Sequence, residues 1–367
     1  MSEDLFSQLF ELFNQPGPVN WRLAREVSDH LTGDPEPIDP WLADEYQQLT
    51  RLAQLQITQA TPLEVGSALS GAPVDRATWA NDNLRNFSYL VDPLAEKLDM
   101  AGSGSPFDAL LKPLGPALLG MQMGVMVGFL SHRVMGQFDV GMPTTEATDI
   151  YFVVPNIEAF ARDNDLEPQS VRLWVALHEV IHQAELAVPW ARQHFSELVD
   201  RYVGAIEIDM SGITDRLQQM QDPSQLEKMM EDPTGMAGLL STDGPQQELE
   251  SVQAFMALLK GYADYVMDRV ATKLLPDLAR MRAARESRRS EPAQAEQMLS
   301  RMLGLELTDD QYRIGAGFCD EVERRWGDDA LHRVWESPEN LPDLAELKDP
   351  VGWAARVLLD DGLEGSF

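Results

Sequence analysis

The chain has 367 residues, 44% of them hydrophobic and 24% charged, a composition that is typical of a globular protein and excludes a disordered one. Its 60 acidic and 29 basic residues give a net charge of -31, which would repel a nucleic-acid backbone and an anionic membrane surface. We therefore expect neither as a partner. The single cysteine, Cys319, and an N-terminus without a basic start or a continuous apolar segment favour the cytoplasm.

The N-terminal part of the chain is predicted to consist of helices separated by turns. Asn20 can cap a helix that ends near Leu31. Three prolines, Pro35, Pro37 and Pro40, then precede a second helix over residues 41–60, because proline cannot continue a helix. A third helical pattern covers residues 77–98.

The segment from Leu114 to Leu130 is uncharged and apolar, with Gly120, Gly124 and Gly128 at intervals of four residues. Such a segment could be a membrane helix with a packing face of small residues. However, it is at the lower limit of the length needed to cross a bilayer, and it lies within a strongly acidic chain. We predict a buried core helix whose glycines mark the close approach of another backbone.

The strongest strand signal is IYFVVPN, from Ile150 to Asn156, which Pro155 brings to an end. The strand lies shortly before the motif described next. An exposed strand there could pair with an extended peptide substrate through its backbone. The alternative is a small structural hairpin.

The segment from residue 171 to 187, VRLWVALHEVIHQAELA, contains His178, Glu179 and His182 in the pattern HExxH. On a helix the two histidines lie one turn apart on one face, where they can bind one zinc ion while Glu179 acts as a general base on water. Apolar neighbours on nearly all sides predict that this helix is buried. The alternative is a buried helix whose histidines bond to backbone carbonyls and whose glutamate pairs with an arginine.

A catalytic zinc ion usually has three protein ligands, so a third must come from elsewhere in the chain. The long helix predicted from Gln246 to Leu275 is the favoured source, because Lys260, Asp264 and Asp268 form one ridge on it. His194 and His332 are alternatives that no pattern singles out. His332 and Tyr262 are also candidates for an electrophilic role.

Two further segments have distinctive compositions. Residues from Asp209 to Gly238 are rich in Met, Gln, Asp and Pro, which is typical of a lid or of a peripheral excursion. Residues from Arg280 to Arg289 are predicted to form a basic, solvated helix face.

Six passages spread over most of the chain resemble a family of bacterial zincin-like hydrolases. Its members are described as zinc-dependent metalloproteases or as proteins associated with deazaflavin cofactor biosynthesis, and their physiological substrates are not established. The passages are FNQPGPVNWRLAR, GVMVGFLSHRVMGQFD, IYFVVPNI, LWVALHEVIH, GYADYVMD and WESPENLPDLAEL.

The resemblance implies a mostly α (α+β) zincin-like fold, with a small antiparallel edge strand or sheet over the HExxH helix and many surrounding helices. It also implies a gluzincin arrangement, in which a second-helix motif EGxAD supplies a glutamate ligand and an aspartate that orients a histidine. This chain has Lys260 at the ligand position and Asp264 at the aspartate. Either Asp264 enters the coordination shell, or zinc binds weakly, or Lys260 replaces the metal and pairs with Glu179.

We therefore expect one zincin-like domain over residues 1–367, with a core at 111–275 and helical extensions at 1–110 and 276–367. The predicted function is that of a metal-dependent hydrolase, a zinc metallopeptidase acting on a peptide or small protein through Glu179, His178, His182 and Asp264. The alternative is a catalytically inactive zincin-fold protein that serves as a binding or scaffold module.

Overall fold

The structure is a computed structural model that describes residues 17–66, 69–100, 114–139, 149–206, 246–290 and 309–359. Helices dominate these ranges, and two short strands form a small sheet. The fold is therefore mostly α with a minor β part, as the sequence predicts. The Met-rich stretch from Asp209 to Gly238 lies outside the described residues.

The elements are numbered in chain order, and most predicted helices agree with them to within a few residues. Up to residue 206 they are α1 (Trp21–Thr32), α2 (Trp41–Ala60), β1 (Ser70–Val74), α3 (Arg76–Met100), α4 (Leu114–Leu130), β2 (Asp149–Val153), α5 (Val154–Asp163), α6 (Pro168–Ala187) and α7 (Ala191–Ala205). After it come α8 (Gln246–Leu274), α9 (Leu278–Ser290), α10 (Asp309–Trp326), α11 (Asp328–His332), α12 (Leu344–Lys348) and α13 (Pro350–Leu359).

Helix α4 packs lengthwise against α1, and glycines make this close approach possible. A Cβ atom added at Gly124 would lie 2.3 Å from the carbonyl oxygen of Ala24, and one at Gly120 would lie 2.2 Å from that of Asn20. The prediction of a core helix approached by another backbone is confirmed. Within the ranges that the structure describes, no helix is both long and apolar enough to span a bilayer.

The two strands run parallel, with Ser70 opposite Asp149 and Val74 opposite Val153, so the predicted antiparallel orientation is wrong. Helices α3 and α4 are the described elements between the two strands, and a helical crossover of this kind returns the second strand in the direction of the first. One antiparallel bridge does join Phe152 to Gly136, and the N–H of Val153 donates to the carbonyl of Met135 at 2.9 Å.

Those contacts occupy both edges of β2 at its C-terminal end, with β1 on one edge and residues 135–136 on the other. Backbone addition of a peptide at Phe152 and Val153 would have to displace one of them. Phe152 and Val153 therefore have a structural role in the sheet, although the parallel pairing with β1 is not the small hairpin that was the alternative.

Helix α6, which contains HExxH, lies at the centre of the molecule. It packs against α2, α5, α7, α8 and β2, and from Val171 to Leu186 every side chain except Leu173 is buried. The hydrophobic core around it is continuous and includes residues from Val19 to Val357. The division into a core with two extensions stays a prediction.

Replacing Gly124 with alanine tests the contact between α1 and α4. Because the added Cβ would collide with a backbone carbonyl, the free energy of unfolding should fall by about 1–3 kcal/mol. Urea denaturation followed by circular dichroism measures the change.

The matched control is Gly115→Ala on the same helix, where an added Cβ meets nothing within 4 Å. This substitution should leave the midpoint of urea denaturation unchanged or raise it slightly, since alanine has a higher helix propensity than glycine. Equal midpoints for the two variants would contradict the close approach at Gly124.

Candidate metal centre on the HExxH helix

The two histidines of the motif lie side by side on α6, because residues four apart on a helix share one face. The ring centroids of His178 and His182 are 4.6 Å apart, with an angle of 77° between the ring planes. Both residues are buried, at 9% and 5% exposure. The helix thus brings the two predicted ligands together in the protein interior.

His178 contacts a carboxylate with one ring nitrogen and a guanidinium with the other. Its Nδ1 lies 3.3 Å from Oε1 of Glu179, and its Nε2 lies 3.1 Å from Nη2 of Arg285. Arginine can only donate hydrogen bonds, so Nε2 must accept this one, and the ring proton of a neutral imidazole is then on Nδ1. The lone pair of His178 therefore faces a cation.

His182 has a carboxylate partner of its own. Its Nδ1 lies 2.7 Å from Oε2 of Glu185, one helical turn further along α6. An ionised Glu185 accepts a hydrogen bond from Nδ1–H of His182, so the lone pair of the ring is on Nε2. Carboxylates orient metal-binding histidines in the same way. Burial, and secondarily the charge of Asp264, raises the pKa of Glu185 well above its ordinary value. A cation nearby would favour the ionised form.

Glu179 is 1% exposed and lies beneath the loop that follows α4. Its Oε2 accepts a hydrogen bond from the N–H of Phe138 at 2.8 Å. A Cβ added at Gly136 would lie 2.3 Å from its Cδ, so only glycine fits there. Burial, and secondarily the Asp139 carboxylate, raises the pKa of Glu179 well above its ordinary value.

Asp264 reaches the motif through Arg285. Its Oδ1 accepts from Nη1 of Arg285 at 3.0 Å, while the other guanidinium nitrogen contacts His178. The guanidinium also lies 5.6 Å above the ring of Trp174. The resemblance implies that the aspartate orients a histidine, and here the guanidinium stands between the two groups.

The predicted solvated face of residues 280–289 is wrong at Arg285, whose side chain is 19% exposed. A run of arginines suggests solvent by composition alone, whereas this one contacts the buried ring of His178 and the half-buried carboxylate of Asp264. Lys260, at the position of the family ligand, is half-buried and lies one turn before Asp264 on α8.

Among the described residues, no three side chains of His, Cys, Asp or Glu converge closely enough to hold a metal ion as they stand. The chemistry of the donors nevertheless fits one. His178 Nε2 and Asp264 Oδ1 already share a cation, the guanidinium of Arg285. Oε1 of Glu185 is buried, and no group in the described part of the chain forms a hydrogen bond with it. Two imidazoles and a carboxylate are donors that zinc accepts.

Two contacts of this centre were not predicted from the sequence, that of Glu185 with His182 and that of Arg285 with His178. Glu185 is three residues from His182, a spacing at which helical side chains meet, so the contact could have been predicted. Arg285 is 107 residues from His178, and no periodicity links them.

The other candidates lie among aromatic or charged groups. His194 packs on Trp190 and Phe255, and Tyr262 packs on Trp335. Burial lowers the pKa of His332, and the Asp328 carboxylate opposes part of this effect.

A model of the family described as zincin-like metallopeptidase matches residues 19–354. Among solved structures, the chain is similar to a protein from Chloroflexus aurantiacus, described as a candidate hydrolase with a novel fold. The TM-score is 0.68 at 26% sequence identity, covering 92% of this chain and 98% of that one. No curated protein matches the chain significantly. Because the family model extends over most of the chain, HExxH helix included, this protein belongs to the zincin-like metallopeptidase family of metal-dependent hydrolases.

Proposed function

We propose that this protein is a zinc-dependent hydrolase of the gluzincin type that cleaves peptide bonds. The supporting observation is the orientation of the two imidazoles on α6. Each has its Nδ1 against a carboxylate, Glu179 for His178 and Glu185 for His182, and a ring whose Nδ1–H donates to a carboxylate has on Nε2 the lone pair with which imidazoles bind zinc. The chain belongs to a family described as zincin-like metallopeptidase, and two histidines in HExxH on a helix are a zinc-binding pattern.

The residues that would hold the ion are His178, His182 and Asp264. Zinc bound there would polarise a scissile carbonyl and lower the pKa of a water molecule. Asp264 takes the place of the glutamate that Lys260 replaces on α8. It is already within hydrogen-bonding distance of the cation that contacts His178.

Glu179 is the proposed general base. Its pKa is raised by burial, which makes the carboxylate a stronger base near neutral pH than an exposed glutamate. Each oxygen of Glu179 has a hydrogen-bonding contact, with the N–H of Phe138 or with the ring of His178, and has a second lone pair that can accept a proton from water. The protonated carboxyl then returns the proton to the leaving amine.

The alternative function is that of an inactive zincin-fold protein that binds a partner. A specific observation favours it, because a guanidinium lies at Nε2 of His178 and a lysine occupies the family ligand position. A protonated lysine near the site repels a divalent cation and lowers its affinity. The acidic surface, with a net charge of -31, would then favour a basic partner.

The substitution Glu179→Gln separates the two functions. Glutamine keeps the shape of the side chain and an oxygen that can accept from Phe138, but it cannot act as a base. If the protein is a peptidase, cleavage of a broad peptide library, measured by mass spectrometry with added zinc, should fall by about 100-fold or more.

The melting temperature of the variant is the control, and it should change little because the hydrogen bond to the loop is kept. Equal cleavage by the variant and the native protein would remove the catalytic role of Glu179. No cleavage by either protein would support the binding function.

The substitution Lys260→Glu tests the ligand position on α8. Exchanging an ammonium for a carboxylate near a divalent cation should strengthen zinc binding by about tenfold or more, since both the lost repulsion and the new donor act in the same direction. Competition with a chromophoric chelator measures the dissociation constant.

Lys273→Glu makes the same charge change in the last turn of α8 and serves as the control. If the native protein already binds zinc tightly and neither substitution changes the dissociation constant, Lys260 does not weaken the site.

A further inference from the structure

We infer that Arg285 is a built-in cation that closes the metal centre, so that zinc binds only when Arg285 and helix α9 withdraw. This inference rests on the proposed function, because it presupposes that the two histidines bind zinc. It adds regulation to that function, because α9 (Leu278–Ser290) acts as a gate over the metal centre. In the closed state Arg285 occupies the centre and no metal is bound.

The first step of the argument is that the two cations exclude each other at His178. Nε2 has one lone pair, and Nη2 of Arg285 lies 3.1 Å from it. A zinc ion on that lone pair would lie about 2.0–2.1 Å from Nε2. It would then overlap the guanidinium N–H, and two positive charges at this separation repel strongly inside a protein.

The second step is that the guanidinium of Arg285 contacts the same groups, His178 and Asp264, that a zinc ion would contact. Asp264 comes from α8 and His178 from α6, so the guanidinium links the same two helices that the proposed zinc ligands would link. It also lies over the ring of Trp174, 5.6 Å from the centroid, where a cation is attracted by the aromatic face. These contacts stabilise the closed state and compensate buried negative charge.

The third step is that, beyond its first turn, α9 contacts the rest of the described structure through arginine side chains and the partly buried Ala284. The arginine contacts can be released without removing the core residues of the first turn. Arg280 donates to the carbonyls of Asn164 and Asp165 at 3.2 and 2.7 Å, and these groups are exposed. Arg282 pairs with Asp268 at the surface. Exposed ion pairs of this kind contribute little stability.

The deeply buried apolar side chains of α9 lie in its first turn, at Leu278 and Met281. Later in the helix, Arg288 and Arg133 each donate to the other's backbone carbonyl, and Arg288 lies over the ring of Phe160. The helix can therefore pivot about its N-terminal end once its arginine contacts are released. Zinc would then replace the guanidinium as the cation that contacts His178 and Asp264.

The experiment compares the zinc affinity of the native protein with that of Arg285→Ala and Arg285→Gln, by competition with a chromophoric chelator. Both substitutions remove the charge, and the glutamine keeps much of the side-chain length. Each should bind zinc about tenfold more tightly or better than the native protein, because zinc no longer has to displace a guanidinium.

The matched control is Arg282→Ala, which removes the same charge from the same helix, from an arginine that pairs with Asp268 of α8. Its affinity for zinc should stay within about twofold of the native value, since exposed charges are screened. A gain as large as that of the Arg285 variants would show a general charge effect and overturn the gate.

A second readout uses the native protein alone. Adding zinc should increase amide hydrogen exchange in residues 278–290, because the ion releases α9, whereas magnesium at the same concentration should not. If native and Arg285 variants bind zinc equally tightly and exchange in α9 is unchanged, the gate is wrong and the proposed function stands. If none of the proteins binds zinc, the proposed function fails and the gate with it.

Discussion

The centre of this protein depends on the electrostatic cost of burying charge. Helix α6 carries two imidazoles and two carboxyl groups into the core, and Glu179 and Glu185 each have a pKa raised well above the ordinary value by that burial. Ionised carboxylates are stable there only with hydrogen bonds or a positive charge nearby. The backbone N–H of Phe138 and the guanidinium of Arg285 supply part of this compensation.

The rest of the architecture follows from that requirement. Gly136 leaves room for the Glu179 side chain under the loop, and the same residue bridges to Phe152 of β2 and accepts a hydrogen bond from Trp79. Helix α8 brings Asp264 to the other side of the centre. Its backbone meets α10 where a Cβ at Gly261 would lie 2.2 Å from Gly315, so the position of Asp264 is fixed by close helix packing. The HExxH helix, a loop over its glutamate and a second helix with a carboxylate thus surround the same group of buried charges.

Much of this could be predicted from the sequence, where the signals are local. The N-cap at Asn20, the apolar α4 with its spaced glycines and the two histidines of HExxH all depend on residues within a turn or two of one another. β1 was not predicted, because SGAPV contains glycine and proline and becomes a strand only by pairing with β2, far away in the chain. The contact of Arg285 with His178 was not predicted for the same reason, because it joins residues far apart in the chain. The role of Arg285 depends on acceptors from two other helices, and a run of arginines carries no local sign that one of them is buried.

The most direct test is a crystal structure of the Arg285→Ala variant grown with zinc, with the absorption edge used to identify the ion. The account predicts a zinc ion about 2.0–2.1 Å from a ring nitrogen of both His178 and His182, with a carboxylate oxygen of Asp264 at about 2.0–2.2 Å. The contrary result is a structure in which the two imidazole rings keep their present carboxylate partners and no ion lies between them, although the guanidinium is gone. That result would contradict the claim that these two histidines are arranged to hold a cation.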